Sequence, residues 1–137
     1  MEIKHVPLEW VNRTWQDVEK FFVMCSPFST GDYTVEQMKA YVAQGSWSLL
    51  VVVEDGVIHG AITVSFYNRP NDRVALVTQI GGKCISSKET FDQLRVFALS
   101  MGATTIEGAA RESVARLWRR YGFKEKHRIV SLKLEQL

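Results

Sequence analysis

The segment from Gly81 to Lys88, here called the glycine segment, has the clearest chemical potential and reads Gly-Gly-Lys-Cys-Ile-Ser-Ser-Lys. Glycines let the backbone approach a ligand closely, Lys83 and Lys88 supply positive charge, and the hydroxyls of Ser86 and Ser87 supply hydrogen bonds. The segment precedes a predicted helix, whose first backbone N–H groups have no partner within the helix. These residues predict a phosphate or pyrophosphate site. The alternative interpretation is a plain glycine turn before a capped helix.

The nucleophilic and metal-binding side chains form no recognised catalytic pattern. Cys25 and Cys84 form neither a Cys-x-x-Cys pair nor a zinc spacing with histidine, so neither a metal nor a disulfide framework is predicted. The three histidines lie in predicted strands and no serine or cysteine occupies a nucleophile elbow, so no catalytic triad is predicted. Cys84 lies in the glycine segment, where a helix N-terminus and two lysines would favour its reactive thiolate; a small buried apolar residue is the alternative.

Length and composition favour one globular domain over residues 1–137. With 46% hydrophobic and 23% charged residues, the chain is too apolar for a disordered protein and has no run long enough to span a membrane. The 17 Lys and Arg exceed the 15 Asp and Glu by only two charges, which argues against a dedicated nucleic-acid-binding protein. The N-terminus has no apolar signal core, so a cytoplasmic location is expected.

Hydrophobic periodicity predicts the elements that position the glycine segment. Before the glycine segment we expect a strand, two helices and three antiparallel strands. In that order they are Ile3–Val6, Thr14–Cys25, a helix capped by Thr34 and Gln37 and ending at Gly45, Trp47–Glu54, Val57–Phe66 and Val74–Ile80. Asp55-Gly56 predicts a hairpin between the first two of the antiparallel strands. After the glycine segment we expect a helix that a capping box of Ser86 and Glu89 opens and Gly102 ends. A strand at Thr104–Ile106, a helix at Glu112–Tyr121 and one long or two short strands at Phe123–Leu134 follow.

This order and one local motif carry a family resemblance. The segment Ala115-Arg-Leu-Trp-Arg-Arg-Tyr-Gly-Phe123 is similar to Ala-x-x-Leu-Tyr-x-x-x-Gly-Phe of the GNAT superfamily, and the Asp-Gly hairpin followed by Val57-Ile-His-Gly-Ala61 is also similar. GNAT enzymes transfer an acetyl group from acetyl-CoA to an amine. The chain also resembles small GNAT-like proteins of tailed phages. The resemblance implies an α/β (α+β) fold with a central mixed, mostly antiparallel sheet flanked by about four helices.

The resemblance implies that acetyl-CoA binds as a substrate at the end of the third long strand. The residues implied in holding it come from that strand end, the glycine segment and the last helix: Ile80, Gly81, Gly82, Lys83, Cys84, Ser86, Ser87, Lys88 and Trp118. The family's glycine-loop pattern cannot be aligned with the glycine segment of this sequence. Ile85 stands where the family has a small residue, and its bulk opposes close approach of a pyrophosphate.

For catalysis, the resemblance points to two positions. GNAT enzymes commonly use a tyrosine four residues before the Gly of Gly-Phe as general acid, and that position is Trp118, whose indole does not release its proton at neutral pH. Tyr121 is the candidate substitute acid, with core packing as the alternative. Glu107 is the candidate base, which requires partial desolvation and a raised pKa; a solvated carboxylate at a strand end is the alternative.

Three functions follow from different features. The first is an acetyl-CoA-dependent N-acetyltransferase with a small-molecule acyl donor and an unidentified amine acceptor. The second is a catalytically degenerate GNAT-fold protein with a binding or structural role, acting with a protein partner or as a homo-oligomer, in a host cytoplasm or a virion if phage-encoded. The third is nucleic-acid binding by the basic residues near the last helix, but Glu112 and Glu125 among them favour a solvated helix face: Arg111, Arg116, Arg119, Arg120, Lys124, Lys126 and Arg128.

Overall fold

The structure, a computed structural model, describes residues 1–82 and 87–135. These residues form five strands, β1 to β5 in chain order: Glu2–His5, Trp47–Glu54, Val57–Asn68, Arg73–Gly82 and Thr105–Gly108. They also form four α-helices, α1 to α4: Val11–Cys25, Val35–Ala43, Lys88–Ser100 and Glu112–Arg119. Single 3₁₀ turns precede and follow α1, at Leu8–Trp10 and Ser26–Phe28.

The strands form one sheet in the order β1-β2-β3-β4-β5. The first four strands pair antiparallel, and β5 pairs parallel to β4. Asp55 and Gly56 both have positive φ, 52° and 74°, as the tight β2–β3 hairpin requires, so the predicted turn is confirmed. The predicted mixed, mostly antiparallel sheet is likewise confirmed.

A hydrophobic core lies on each face of the sheet. The side chains of α1 and α2 that face the sheet are at most 2% exposed, among them Trp15, Phe22 and Met38. On the opposite face, Leu94 of α3 and Trp118 of α4 pack over β2, β3 and β4. Burying each such side chain stabilises the fold by about 1.5–3 kcal/mol, so both helical layers are held firmly against the sheet.

The two predicted capping boxes have different outcomes. At α2 the Gln37 N–H donates to Thr34 Oγ1 at 3.2 Å and the Thr34 N–H donates to Gln37 Oε1 at 2.9 Å, which confirms the first. At α3 the predicted start at Ser86 is wrong, because the N-cap is Ser87, whose Oγ accepts from the Thr90 N–H at 3.1 Å. Thr90 is 1% exposed, so burial of its side chain favours the later start.

Several boundaries also differ from the periodicity prediction. Helix α1 begins at Val11 instead of Thr14, because Val11 itself is buried in the core. Strand β4 continues through Gly81 and Gly82, which pair with Ala61 and Gly60 of β3. Helix α4 ends at Arg119, before the turn that contains Tyr121.

The predicted strand or strands over Phe123–Leu134 are wrong. Phe123 packs against the core, but residues 123–135 form no strand in the structure. Four large apolar side chains there are 84–93% exposed: Ile129, Val130, Leu132 and Leu134. Alternation of residue types shows that a segment suits a sheet, but a strand also needs a neighbouring edge, which the periodicity does not supply.

Candidate active site

A cleft opens where β4 and β5 separate. The two strands pair from Val74 with Thr105 to Val77 with Gly108. Beyond that point β4 continues to Gly82, while the chain after Gly108 turns away into α4. The gap is a cleft of about 460 Å³. Crevices at the carboxyl ends of diverging parallel strands are common ligand sites, so this topology creates a candidate site before any side chain is considered.

A β-bulge shapes the β4 side of the cleft. Thr63 of β3 lies opposite Gln79 and Val64 lies opposite Val77, so Thr78 has no counterpart of its own in the register. The Thr78 hydroxyl donates to the Thr63 carbonyl at 3.0 Å, and the two threonine hydroxyls are 2.7 Å apart. Thr78 and Gln79 both line the cleft. The bulge therefore lies where polar side chains enter the lining of an otherwise apolar strand.

Gln79 is a polar side chain of this lining that has an unsatisfied hydrogen-bond donor. The residue is 8% exposed, and its Nε2 has no hydrogen-bond partner among the described residues. A buried donor without a partner costs about 1–3 kcal/mol. Nε2 itself has almost no accessible surface, so the Gln79 side chain would have to turn toward the cleft for an acceptor bound there to offset that cost.

The opposite wall comes from the end of α1 and the turn after it. Cys25, Phe28, Thr30, Asp32 and Tyr33 line the cleft there. Burial raises the pKa of the Cys25 thiol, so at neutral pH it is a neutral group and not a thiolate nucleophile. The Thr30 hydroxyl donates to Asp32 Oδ2 at 2.9 Å.

A cation–π contact joins this wall to α4. The guanidinium of Arg111, the N-cap residue of α4, lies 4.4 Å from the centre of the Phe28 ring. Both residues line the cleft. Such a contact contributes about 0.5–1 kcal/mol at an exposed site, enough to favour a fixed separation of the two walls.

Solved structures of several acetyltransferases share this architecture along their whole length. A probable acetyltransferase matches with a TM-score of 0.72 at 12% identity, with 99% of each chain covered. The chain has the GNAT fold. A predicted acetyltransferase from Clostridium acetobutylicum, solved with acetyl-CoA, matches at 0.68 and 13% identity, with 96% of this chain and 95% of that chain covered. Glucosamine-6-phosphate N-acetyltransferase from Arabidopsis thaliana matches at 0.65 and 13% identity, with 98% of each chain covered.

Comparisons of the sequence itself give no such match. No protein-family model and no curated protein matches the chain. Among the described residues, no helix is both long and apolar enough to cross a membrane, and no cluster of three His, Cys, Asp or Glu side chains is arranged to hold a metal.

Within this GNAT fold, Trp118 lies in the cleft wall. The side chain is 6% exposed and packs against Phe91 and Phe123, with ring centres 5.7 and 5.2 Å away. A Cβ on Gly108 would lie 2.8 Å from the Trp118 ring, so the glycine at the end of β5 makes room for the indole. The cleft remains open beside the indole.

Tyr121 lies on the core side of α4. Its ring stacks on Phe91 with centres 5.0 Å apart and planes 26° apart. The residue is not part of the cleft lining in the structure. The arrangement matches core packing, the alternative to the acid role predicted for Tyr121, because the turn after α4 directs this side chain toward α3.

The pKa of Glu107 is lowered, whereas the base role predicted for it would require a raised one. Its carboxylate accepts hydrogen bonds from both terminal nitrogens of Arg69, one at 2.8 Å, and from the Tyr67 hydroxyl at 3.3 Å. Lys126 Nζ lies 3.8 Å from Glu107 Oε2. The hydrogen bonds from Arg69 hold the pKa of Glu107 below its usual value, outweighing its desolvation. Glu107 is thus an ion-pair partner and a poor general base.

The glycines of the predicted acetyl-CoA site are needed for packing within the protein. A Cβ on Gly82, whose φ is 108°, would overlap the His59 carbonyl and Gly60 Cα of β3. A Cβ on Gly81 would lie 2.6 Å from the Phe21 carbonyl of α1. Ile80 and Gly82, two of the predicted acetyl-CoA-binding residues, line the cleft.

The remaining predicted acetyl-CoA-binding residues follow Gly82 in the sequence, up to Lys88, the first residue of α3. Lys83, Cys84 and Ser86 lie outside the described residues. Ser87 caps α3, and Lys88 forms an ion pair with Asp92 at 2.7 Å. Neither lines the cleft. Their placement leaves the predicted anion site untested.

Proposed function

We propose that this protein is an acetyl-CoA-dependent N-acetyltransferase that acts on an amine. One observation carries the proposal: β4 and β5 diverge to leave an open cleft of about 460 Å³, and its lining includes Gln79, whose buried Nε2 has no hydrogen-bond partner among the described residues. The GNAT fold supports it, since matching structures include one solved with acetyl-CoA. An aminoglycoside acetyltransferase in complex with sisomicin, which matches with a TM-score of 0.70, shows the same fold with an amine-bearing molecule.

When bound, acetyl-CoA supplies an acetyl group activated as a thioester. The chain's part is to hold the two reactants and to exclude water. The apolar wall of Val114, Leu117 and Trp118 lines one side of the cleft, and Gln79 offers a hydrogen-bond donor to an oxygen of the bound molecule on the other. Correct positioning alone supplies much of the rate of a two-substrate reaction.

Proton transfer in this site does not depend on the residues that the family motif suggests. Trp118 holds its indole proton at neutral pH, and Glu107 is neutralised by Arg69. We therefore propose that the free amine attacks the thioester carbonyl carbon directly. The new C–N bond forms as the C–S bond breaks, CoA leaves as a thiolate that takes a proton from water, and the excess proton on nitrogen passes to solvent. The rate should rise with pH until the acceptor amine is fully deprotonated.

Acetyl-CoA titration tests the proposal. A ligand at ~100 times its dissociation constant stabilises the folded protein by ~2.7 kcal/mol, which a thermal shift readily detects. Release of the CoA thiol in the presence of a panel of primary amines then measures transfer. Absence of both a thermal shift and calorimetric heat with acetyl-CoA would contradict the proposal.

The second candidate is a degenerate GNAT-fold protein with a binding or structural role, such as the small phage proteins that the sequence resembles. The indole at Trp118 and the ion pair of Glu107 with Arg69 favour it, because both remove groups that GNAT catalysis commonly uses. Acetyl-CoA binding without thiol release for any amine would support this candidate over the first.

A further inference from the structure

The cleft carries two charged side chains of opposite sign. Among the described residues that line it, the charged ones are Asp32, in the wall after α1, and Arg111, at the start of α4. Both side chains belong to exposed residues, so they lie where the cleft meets solvent. A molecule that enters the cleft therefore meets one cation and one anion in a described lining that is otherwise uncharged.

Arg111 has no anionic partner in the part of the chain that the structure describes. Its guanidinium carbon lies 4.4 Å from the centre of the Phe28 ring. An aromatic ring attracts the positive charge, but it does not form the paired N–H···O bonds that a carboxylate forms. By contrast, Arg69, Arg119 and Arg128 each pair with a glutamate. Arg111 is thus held at the cleft with its N–H donors available.

Asp32 likewise has no cationic partner. Its Oδ2 accepts a hydrogen bond from the Thr30 hydroxyl at 2.9 Å. No cationic nitrogen of residues 1–82 and 87–135, that of Arg111 included, lies within 4.0 Å of the Asp32 carboxylate. Two opposite charges that line one cleft without pairing to each other are both available to a bound molecule.

The wall after α1 is the part of the cleft available to the acceptor. The described residues predicted to bind acetyl-CoA that line the cleft lie at the end of β4 and on α4: Ile80, Gly82 and Trp118. In the wall after α1, the Ser29 hydroxyl already donates to the Ser26 carbonyl at 2.8 Å, and the Thr30 hydroxyl donates to Asp32. Since charged groups form stronger hydrogen bonds than neutral ones, Asp32 and Arg111 dominate recognition of a polar acceptor.

We propose that the acceptor is a primary amine that also carries an anionic group, a carboxylate or a phosphate, and that Arg111 selects it. The guanidinium fork matches either anion with two parallel N–H···O bonds. Asp32 attracts the protonated amine as the acceptor enters, and the amine releases that proton to solvent before it attacks. This inference rests on the proposed transferase function, and a binding experiment separates the two.

Two matched pairs of amines test the proposal by calorimetric titration, with and without CoA. β-Alanine is compared with β-alaninamide, and phosphoethanolamine with ethanolamine, so the two pairs distinguish a carboxylate from a phosphate. We expect the wild-type protein to bind the anionic member of at least one pair about tenfold more tightly, as a hydrogen bond to a charged group implies. Added salt should weaken this preference, because both charges of the cleft are exposed.

Arg111→Met removes the charge and keeps a long side chain beside Phe28. We expect this variant to bind both members of each pair equally. In CoA thiol release it should raise KM for the anionic amine about tenfold and leave kcat nearly unchanged. Arg116→Met is the matched control, because Arg116 is also an exposed arginine of α4 but does not line the cleft, and it should keep the wild-type preference.

The outcomes separate this inference from the transferase proposal. Equal binding of both members of both pairs by the wild-type protein, or no binding of either anionic amine, would overturn the role of Arg111. A preference that Arg111→Met retains would overturn it as well. A preference that depends on Arg111, found without thiol release from acetyl-CoA, would support the anion site and contradict the transferase function instead.

Discussion

Replacing Gln79 with leucine should move stability and ligand affinity in opposite directions. In the free protein the buried Nε2 has no partner among the described residues, and such a donor costs about 1–3 kcal/mol. Leucine has a similar volume and no polar group. We therefore expect the free Gln79→Leu protein to be more stable by about 1–2 kcal/mol, which raises Tm by roughly 2–8 °C for domains near this size.

The same substitution removes a hydrogen bond from the bound state. A hydrogen bond of this kind contributes about 0.5–1.5 kcal/mol, so acetyl-CoA affinity, or kcat/KM where the acceptor is the partner, should fall roughly 2- to 12-fold. Thermal unfolding followed by circular dichroism measures the first effect. Calorimetric titration and CoA thiol release measure the second.

Thr63→Val is the matched control for this experiment. Thr63 is buried, as is Gln79, but its hydroxyl is already paired with that of Thr78 at 2.7 Å. Its removal should lower stability by about 0.5–1.5 kcal/mol. If Gln79→Leu also lowered stability and left both affinity and kcat/KM unchanged, the amide would have no role toward a ligand.

Three further substitutions test single interactions of the fold: an ion pair, a glycine and a helix cap. Arg69→Met should destabilise the protein at pH 7. The pKa of Glu107 is lower in the folded protein than in the unfolded chain, so the ion pair stabilises the fold above the unfolded-state pKa. The difference in unfolding free energy between the wild-type protein and Arg69→Met should therefore vanish as pH falls through the folded-state pKa. Gly82→Ala should cost about 1–3 kcal/mol or more in urea denaturation because of its φ and its contact with β3, whereas Gly31→Ala, with positive φ but open space, should cost less. Ser87→Ala should lower stability by ~1 kcal/mol through loss of the α3 N-cap, and an unchanged urea midpoint would contradict the capping role.

Features set by neighbouring residues could be predicted from the sequence. The Thr34–Gln37 capping box and the Asp55-Gly56 hairpin depend on residues at most three positions apart, and the structure confirms both. The order of strands and helices from β1 to α4 also followed from local periodicity. The α3 cap was misplaced by one residue, since Ser86 and Ser87 offer the same hydroxyl and only burial of Thr90 favours the later one.

Features set by long-range contacts could not be predicted. Arg69 lies 38 residues before Glu107, and nothing in either sequence neighbourhood indicates that they pair. The bulge that brings Thr78 and Gln79 to the cleft depends on the register with β3, although two polar residues within an apolar strand are a sign that was missed. The missing terminal strand shows the same limit, because its partner edge is not encoded nearby.

The separation of β4 from β5 also determines which parts of such a protein can change during evolution. A cavity formed by the backbone directions of two strands is retained when the side chains around it are replaced, provided that both strands keep their direction. The carbonyl of His59 leaves no room for a Cβ at Gly82, whereas Gln79, Thr30 and Asp32 line the open space itself. Substrate preference can drift in such an arrangement while the scaffold that holds the substrate is preserved.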